Sequence, residues 1–351
     1  MTREKKIHTG FTILRIWMCF EVIMAHFRKY SVLPNNYVLK LLNIFTVLAV
    51  PVFMLLSFFF FDIQSFVKDK DKRKKRIERL LIPQIVWTIL YYVIYYCMDQ
   101  KWNLSLEHGL KDFFYQLFLG HSINQTVWFH INLIWLTMLF YYIFRKHEKN
   151  AIMITIWLGV LTLIFQYSNI NGNLFTSYIT LPKWVEVTYV SYPIGRLAEM
   201  IPYASLGILL RHYHAVEKIK TYKQFLMPVF VIILFCFPIE QSIFVVPIGY
   251  GYQGVLKILL AVIIFLQFSM MDFSFLSKRI KNIIYQLSRY TMGIYFCQRL
   301  VASILYETRL SSILHMRPNS MYDCVLIFLF SYLLVFIMNK IPISWIKKSV
   351  V

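Results

Sequence analysis

The chain has 351 residues, 58% of them hydrophobic and 18% aromatic, and only 15% charged. A soluble domain of this length needs a more charged surface, so repeated apolar runs of about 20 residues point to an all-α integral membrane protein. The net charge of +20 does not signal nucleic acid, because the basic residues sit in short segments between apolar runs, where membrane topology requires them.

The first apolar run already holds ionisable residues: Arg15 in TILRIWMCF, Glu21, and His26 in IMAHFRKY. An ionisable side chain inside a span is costly and functional by default. At about 100° and about 1.5 Å per residue, a step of 11 leaves Arg15 and His26 within about 20° of one face and about 16 Å apart. That face is a two-sided site, a cation toward one surface and an imidazole toward the other. His26, about two-thirds of the way across, is the natural general base. Arg15, about 10 Å in from the inner surface at the helical rise, needs a partner, either Glu21 or Glu199 or an anionic ligand. Glu21 is about 120° off the shared face and points to a different neighbour.

Ten spans are expected, at about 8–30, 39–62, 80–98, 126–144, 151–167, 187–210, 225–240, 253–271, 282–305 and 321–340, in a single domain covering 1–351. The 225–240 span is short and holds Pro228 and Pro238. Segments on the N-terminal side of the membrane hold 24 lysines and arginines and the opposite loops hold five, which puts both termini in the cytoplasm. The run KDKDKRKKRIERLLIP is the densest cluster. It serves topology and attraction to anionic lipid, or it grips the phosphates of a cytoplasmic cofactor. Arg76 and Arg79, at the mouth of the third span, are the residues for that second role, since a guanidinium binds phosphate bidentately.

Two outer connections are long, Asp99 to Gln125 and Ser168 to Glu186. Their Trp, Asn and Ser content suits carbohydrate or interfacial anchoring equally. Arg196 and Glu199, at i and i+3, are expected to pair with each other. Arg289, Gln298 and Arg299 add polar groups to the ninth span, with Arg299 able to snorkel outward. The five cysteines are dispersed, forming neither a disulfide framework nor a zinc site, and no metal is expected. No cleavable signal peptide and no internal repeat is evident.

These features together resemble the acyltransferase-3 family of integral membrane acyltransferases. The resemblance rests on Arg-x10-His in the first span (Arg15, His26) and on VPVFMLLSFF, similar to a phenylalanine-rich stretch ending in Ser-Gly-Phe (Ser57). It also rests on RIERLLIP as Arg-x-x-Arg-x-x-x-Pro (Arg76, Arg79, Pro83), and on TVWFHINLIW with Trp128 and Phe129 opening the fourth span. LAEMIPYASLGILL and SRYTMGIYFCQ look like later family segments. Two positions depart: Phe58 stands where the family has glycine, and Gln298 where it commonly has histidine.

The resemblance implies transfer of an acyl group, usually acetyl, from cytoplasmic acyl-CoA to a carbohydrate hydroxyl at the outer face. The acceptor would be a capsule or exopolysaccharide at a bacterial cell membrane. No cofactor is permanently bound; acyl-CoA, the glycan and membrane lipid are the partners. Catalysis falls to His26 and Arg15, donor binding to Arg15, Arg76 and Arg79. Glu21, Ser57, Trp128, Arg196, Glu199 and Gln298 are substrate-contacting or structural polar residues. A transporter or flippase of a glycan or lipid-linked precursor would use the same intramembrane charges as a path. A non-catalytic scaffold would leave the aligned Arg15 and His26 without a purpose.

Overall fold

The computed structural model describes residues 3–27, 37–98, 106–120, 124–168, 187–243, 252–308, 310–316 and 320–350, and all of their regular structure is helical. In a hydrocarbon environment a helix satisfies its backbone groups within one segment, so apolar runs of this kind fold this way. The helices in chain order are α1 (Arg3–Phe27), α2 (Tyr37–Phe59), α3 (Ile63–Lys68), α4 (Lys70–Met98), α5 (Leu106–Leu119), α6 (Trp128–Lys146), α7 (Ala151–Ser168) and α8 (Val187–His212). Then come α9 (Ala215–Ile219), α10 (Lys223–Ile243), α11 (Val255–Met270), α12 (Lys278–Arg289), α13 (Thr291–Glu307), α14 (Leu310–Ile313), α15 (Met321–Lys340) and α16 (Ser344–Val350).

Four stretches are long and apolar enough to cross a membrane: Thr9–Phe27, Lys70–Ile94, Ala215–Phe237 and Met321–Lys340. Ile44–Phe59, Ala151–Tyr167 and Val255–Met270 are shorter apolar helices. Helix α10 runs unbroken through Pro228 and Pro238.

Helix α1 is central, packed by α2, α11, α12, α13 and α15. Its Leu14, Met18, Val22 and Ile23 are buried in the core. The peripheral helices turn apolar side chains outward, Trp157, Leu161 and Ile164 on α7 and Ile232 and Phe235 on α10. Helix α8 lies between α2 and α7. At Gly207 a Cβ would meet the Leu55 carbonyl oxygen at 2.6 Å, so a glycine is what lets α8 and α2 touch backbone to backbone.

Three expectations from the sequence need correction. The third span is expected at about 80–98 with Arg76 and Arg79 at its mouth; α4 begins at Lys70, so both arginines stand on the helix itself. Asp69 starts that helix by accepting the backbone N–H groups of Asp71 and Lys72 at 2.9 and 3.1 Å. The Lys72 bond, the larger influence, holds the Asp69 carboxyl below its usual range.

Second, the connection from Asp99 to Gln125 is not wholly an outer loop. Its α5 packs on α4 and ends deep enough for Gln84, on α4, to donate to the carbonyls of Gln116 and Leu117 at 3.0 and 3.3 Å. The chain then turns at Gly120, with φ 66°, close against Trp128. The other long connection, Ser168 to Glu186, lies outside the described residues except for Ser168.

Third, the expected span at 282–305 is two helices. Ser277 caps an amphipathic α12, whose Ile280, Ile283, Ile284 and Leu287 fall on one face. The backbone then breaks at Tyr290, φ −93° and ψ −1°, before α13 resumes.

Candidate active site

The two ends of the α1 face meet different neighbours. At the N-terminal end Arg15 lies within electrostatic reach of Arg79 on α4 and Tyr285 on α12. Arg76, one helical turn from Arg79, joins the same group, its guanidinium over the Phe61 ring at 4.7 Å from the centroid. Three arginines from two helices therefore converge, and none of the three pairs with a carboxylate among the described residues. Like charges repel, so a cluster of this kind favours a polyanionic ligand.

The hydrogen bonding of Arg76 sharpens this. Its Nε and Nη2 atoms, which together form the side-on edge suited to a bidentate oxyanion, are buried and have no hydrogen-bond partner among the described residues. Pro83 on α4 supplies the local reason for the motif spacing. Lacking an N–H, it cannot bond the Arg79 carbonyl four residues earlier, which loosens the helix beside the arginines.

At the other end, His26 sits in the last described turn of α1. Its side chain is exposed, although protein surrounds it closely, as expected of a group lining a recess. Arg299 on α13 is near enough for its charge to act on the ring.

The remaining sequence-derived residues separate cleanly. Glu21 accepts from Trp17 Nε1 at 2.9 Å and from Thr46 Oγ1 on α2 at 2.8 Å, so it ties α1 to α2 and does not pair with Arg15. Arg196 Nη1 donates to Glu199 at 2.8 Å, and Gln253 donates to the other Glu199 oxygen at 3.1 Å. The Arg196 guanidinium lies over the rings of Trp128 and Tyr252, at 5.3 and 5.2 Å. Trp128 is thus a packed partner of Arg196 inside the protein. Ser57 is half-buried on α2; beside it the Phe58 ring packs on Phe61 and Phe140. Phe58 does not prevent a close backbone approach, because Gly207 provides it from α8. Gln298 is fully buried, and neither of its amide atoms has a hydrogen-bond partner.

Arg15, with Arg76 and Arg79 of α4 beside it, and His26 thus lie toward opposite ends of the central helix α1. A family model described as an acyltransferase domain, acyltransferase-3, matches residues 8–340. The chain belongs to the acyltransferase-3 family. No curated protein and no solved structure matches it. Acyltransferase-3 membership makes acyl transfer its general activity and a membrane its setting, in keeping with the long apolar helices.

In this acyltransferase-3 chain the structure also brings forward residues that sequence reasoning passed over. His130 on α6 is completely buried and contacts the Leu80 carbonyl oxygen through Nε2 at 2.7 Å. Lys257 and Glu240 are buried near Glu199 and Arg196, with Tyr167 donating to Glu240 at 2.5 Å. A histidine within an apolar run is a visible signal. A lysine three residues after a glycine at the head of α11 is not, because it resembles an interfacial residue.

Proposed function

We propose that this protein is a membrane O-acyltransferase that moves an acyl group, acetyl by preference, from cytoplasmic acyl-CoA to a hydroxyl of a cell-surface or exported polysaccharide. In this reading ten spans leave both termini in the cytoplasm of a bacterial cell, with the arginine cluster toward the inside and His26 toward the outside. Arg15, Arg76 and Arg79 bind the phosphates of the donor. The thioester then reaches along α1 toward His26, about 16 Å away at the helical rise.

His26 takes the proton of the acceptor hydroxyl as its oxygen bonds to the thioester carbonyl carbon. The C–S bond breaks, and the proton passes on to the departing sulfur, giving the acyl ester and free CoA. Arg15 assists by holding the donor in register with that base.

The observation that carries the reading is the buried side-on edge of Arg76 without a partner, set among two further arginines. Buried groups left unpaired cost about 1–3 kcal/mol each, and more when charged. A bound phosphate removes that penalty.

The test is acetyl-CoA binding and consumption by the purified protein in nanodiscs. Wild type should bind and consume it. Arg76→Ala should weaken binding about ten- to hundredfold, the range for hydrogen bonds to charged groups. Arg76→Lys should recover part, since it keeps the charge and loses the fork. A wild-type protein that neither binds nor turns over acetyl-CoA would sink the reading.

A further inference from the structure

The neighbourhood of Arg76 contains one more group whose bonding is incomplete. A carbonyl oxygen only accepts, so the 2.7 Å contact of His130 Nε2 with Leu80 requires the ring to carry its proton on Nε2. Nδ1 is then a bare acceptor. It is buried and has no hydrogen-bond partner. The Leu80 contact also fixes the ring plane, and Phe296 holds it edge-on with centroids 4.9 Å apart. Arg76 lies within electrostatic reach of this ring, and its own Nε and Nη2 are the unpartnered donors described above.

Two buried donors and one buried acceptor, each without a hydrogen-bond partner among the described residues and within electrostatic reach of one another, define the ligand they fit. It presents an oxyanion to the arginine and an O–H or N–H a few atoms away to the imidazole. A phosphate alone supplies the first and repels the second, since a phosphate oxygen meets the Nδ1 lone pair. In a CoA thioester both occur together. The pantetheine arm bears a hydroxyl three carbons beyond the pyrophosphate, and an amide N–H follows it.

We infer that His130 Nδ1 accepts a hydrogen bond from the pantetheine arm of the donor while Arg76 holds the adjoining phosphate. This rests on the acyl-CoA reading above. His130 thereby distinguishes a phosphopantetheine thioester from a plain nucleotide.

Two substitutions separate the two nitrogens. Histidine→glutamine can place an amide N–H where Nε2 stands, keeping the Leu80 contact and losing the Nδ1 acceptor. Histidine→asparagine can place a carbonyl oxygen where Nδ1 stands and gives up the Leu80 contact. The experiment measures affinities of nanodisc-reconstituted wild type, His130→Gln and His130→Asn for CoA and for adenosine 3′-phosphate 5′-diphosphate, which keeps the pyrophosphate and lacks the arm. His130→Gln should bind CoA about tenfold more weakly, the value of one buried hydrogen bond. Its affinity for the arm-less nucleotide should equal that of wild type, and His130→Asn should retain most CoA affinity.

Equal losses for both ligands in His130→Gln would show that His130 acts only through Arg76, overturning the inference. So would unchanged CoA affinity in His130→Gln, provided wild type binds CoA. If wild type binds no CoA at all, it is the acyl-CoA reading that fails.

Discussion

Cys19 Sγ donates to the Thr291 carbonyl oxygen across 3.6 Å, and this contact sets the register between α1 and the helices α12 and α13. Two electrostatic neighbours bracket it, Arg15 with Tyr285 below and His26 with Arg299 above. Contacts rising in order along both segments mean that they run parallel. Seven residues beyond Cys19 is His26, and seven beyond Thr291 is Gln298. The position where the family commonly has histidine is therefore level with His26, the proposed general base.

Gln298 separates stability from activity. A buried amide with no partner opposes folding, and an apolar isostere relieves that. Gln298→Met should leave the melting temperature equal or higher, while turnover falls about tenfold if the amide steadies substrate beside His26. Lower stability with full turnover would make Gln298 a packing residue.

His26 is expected to behave differently. His26→Ala should insert and accumulate normally, because the side chain is exposed and lies outside the apolar core. Acylation should fall about 10²–10⁴-fold, the usual contribution of a general base. NMR integration of O-acetyl signals on the isolated glycan measures it. Wild-type acetylation in the variant would remove His26 from the mechanism.

The parts of this site that the sequence reveals are those fixed by local periodicity. Arg15 and His26 share a face because eleven residues nearly complete three turns, and Arg196 meets Glu199 because three residues make about one turn. What stays hidden depends on contacts between distant segments. The descent of α5 is fixed by Gln84 reaching Gln116, 32 residues away, and the His130 tautomer by Leu80, 50 residues away. The break at Tyr290 has no proline or glycine at that residue to announce it. The change from the basic, amphipathic α12 to the apolar α13 is the trace it leaves in the sequence.

The Arg196–Glu199 pair is expected to be structural. Both side chains are almost entirely buried, and Glu199 also holds Gln253. Removing one member of a buried pair costs about 3–5 kcal/mol because the other charge is left uncompensated. Glu199→Leu should therefore lower the denaturation midpoint sharply. Adding Arg196→Met should restore part of the loss, a non-additivity expected of groups in contact. If the two single losses simply add in the double variant, the ion pair is not what holds α8 in place.

Topology can be tested independently of activity. Arg28 and Lys29 follow the last described residue of α1 in sequence, and Lys40 stands in the first turn of α2, so in the ten-span reading all three join the outer tally of basic residues. That tally becomes eight, against which the expected inner count of 24 remains a clear excess. Lys75 and Lys347 should therefore be cytoplasmic, and Asn171 should face outward. Single cysteines at these positions, probed with a membrane-impermeant maleimide in intact cells, report the side directly. The native Cys19, Cys297 and Cys324 are buried and should react little. Asn171→Cys should label in intact cells, while Lys75→Cys and Lys347→Cys should label only after permeabilisation. Labelling of Lys75→Cys and Asn171→Cys from the same side would invert part of the span order. It would also separate the arginine cluster from the cytoplasmic donor it is proposed to bind.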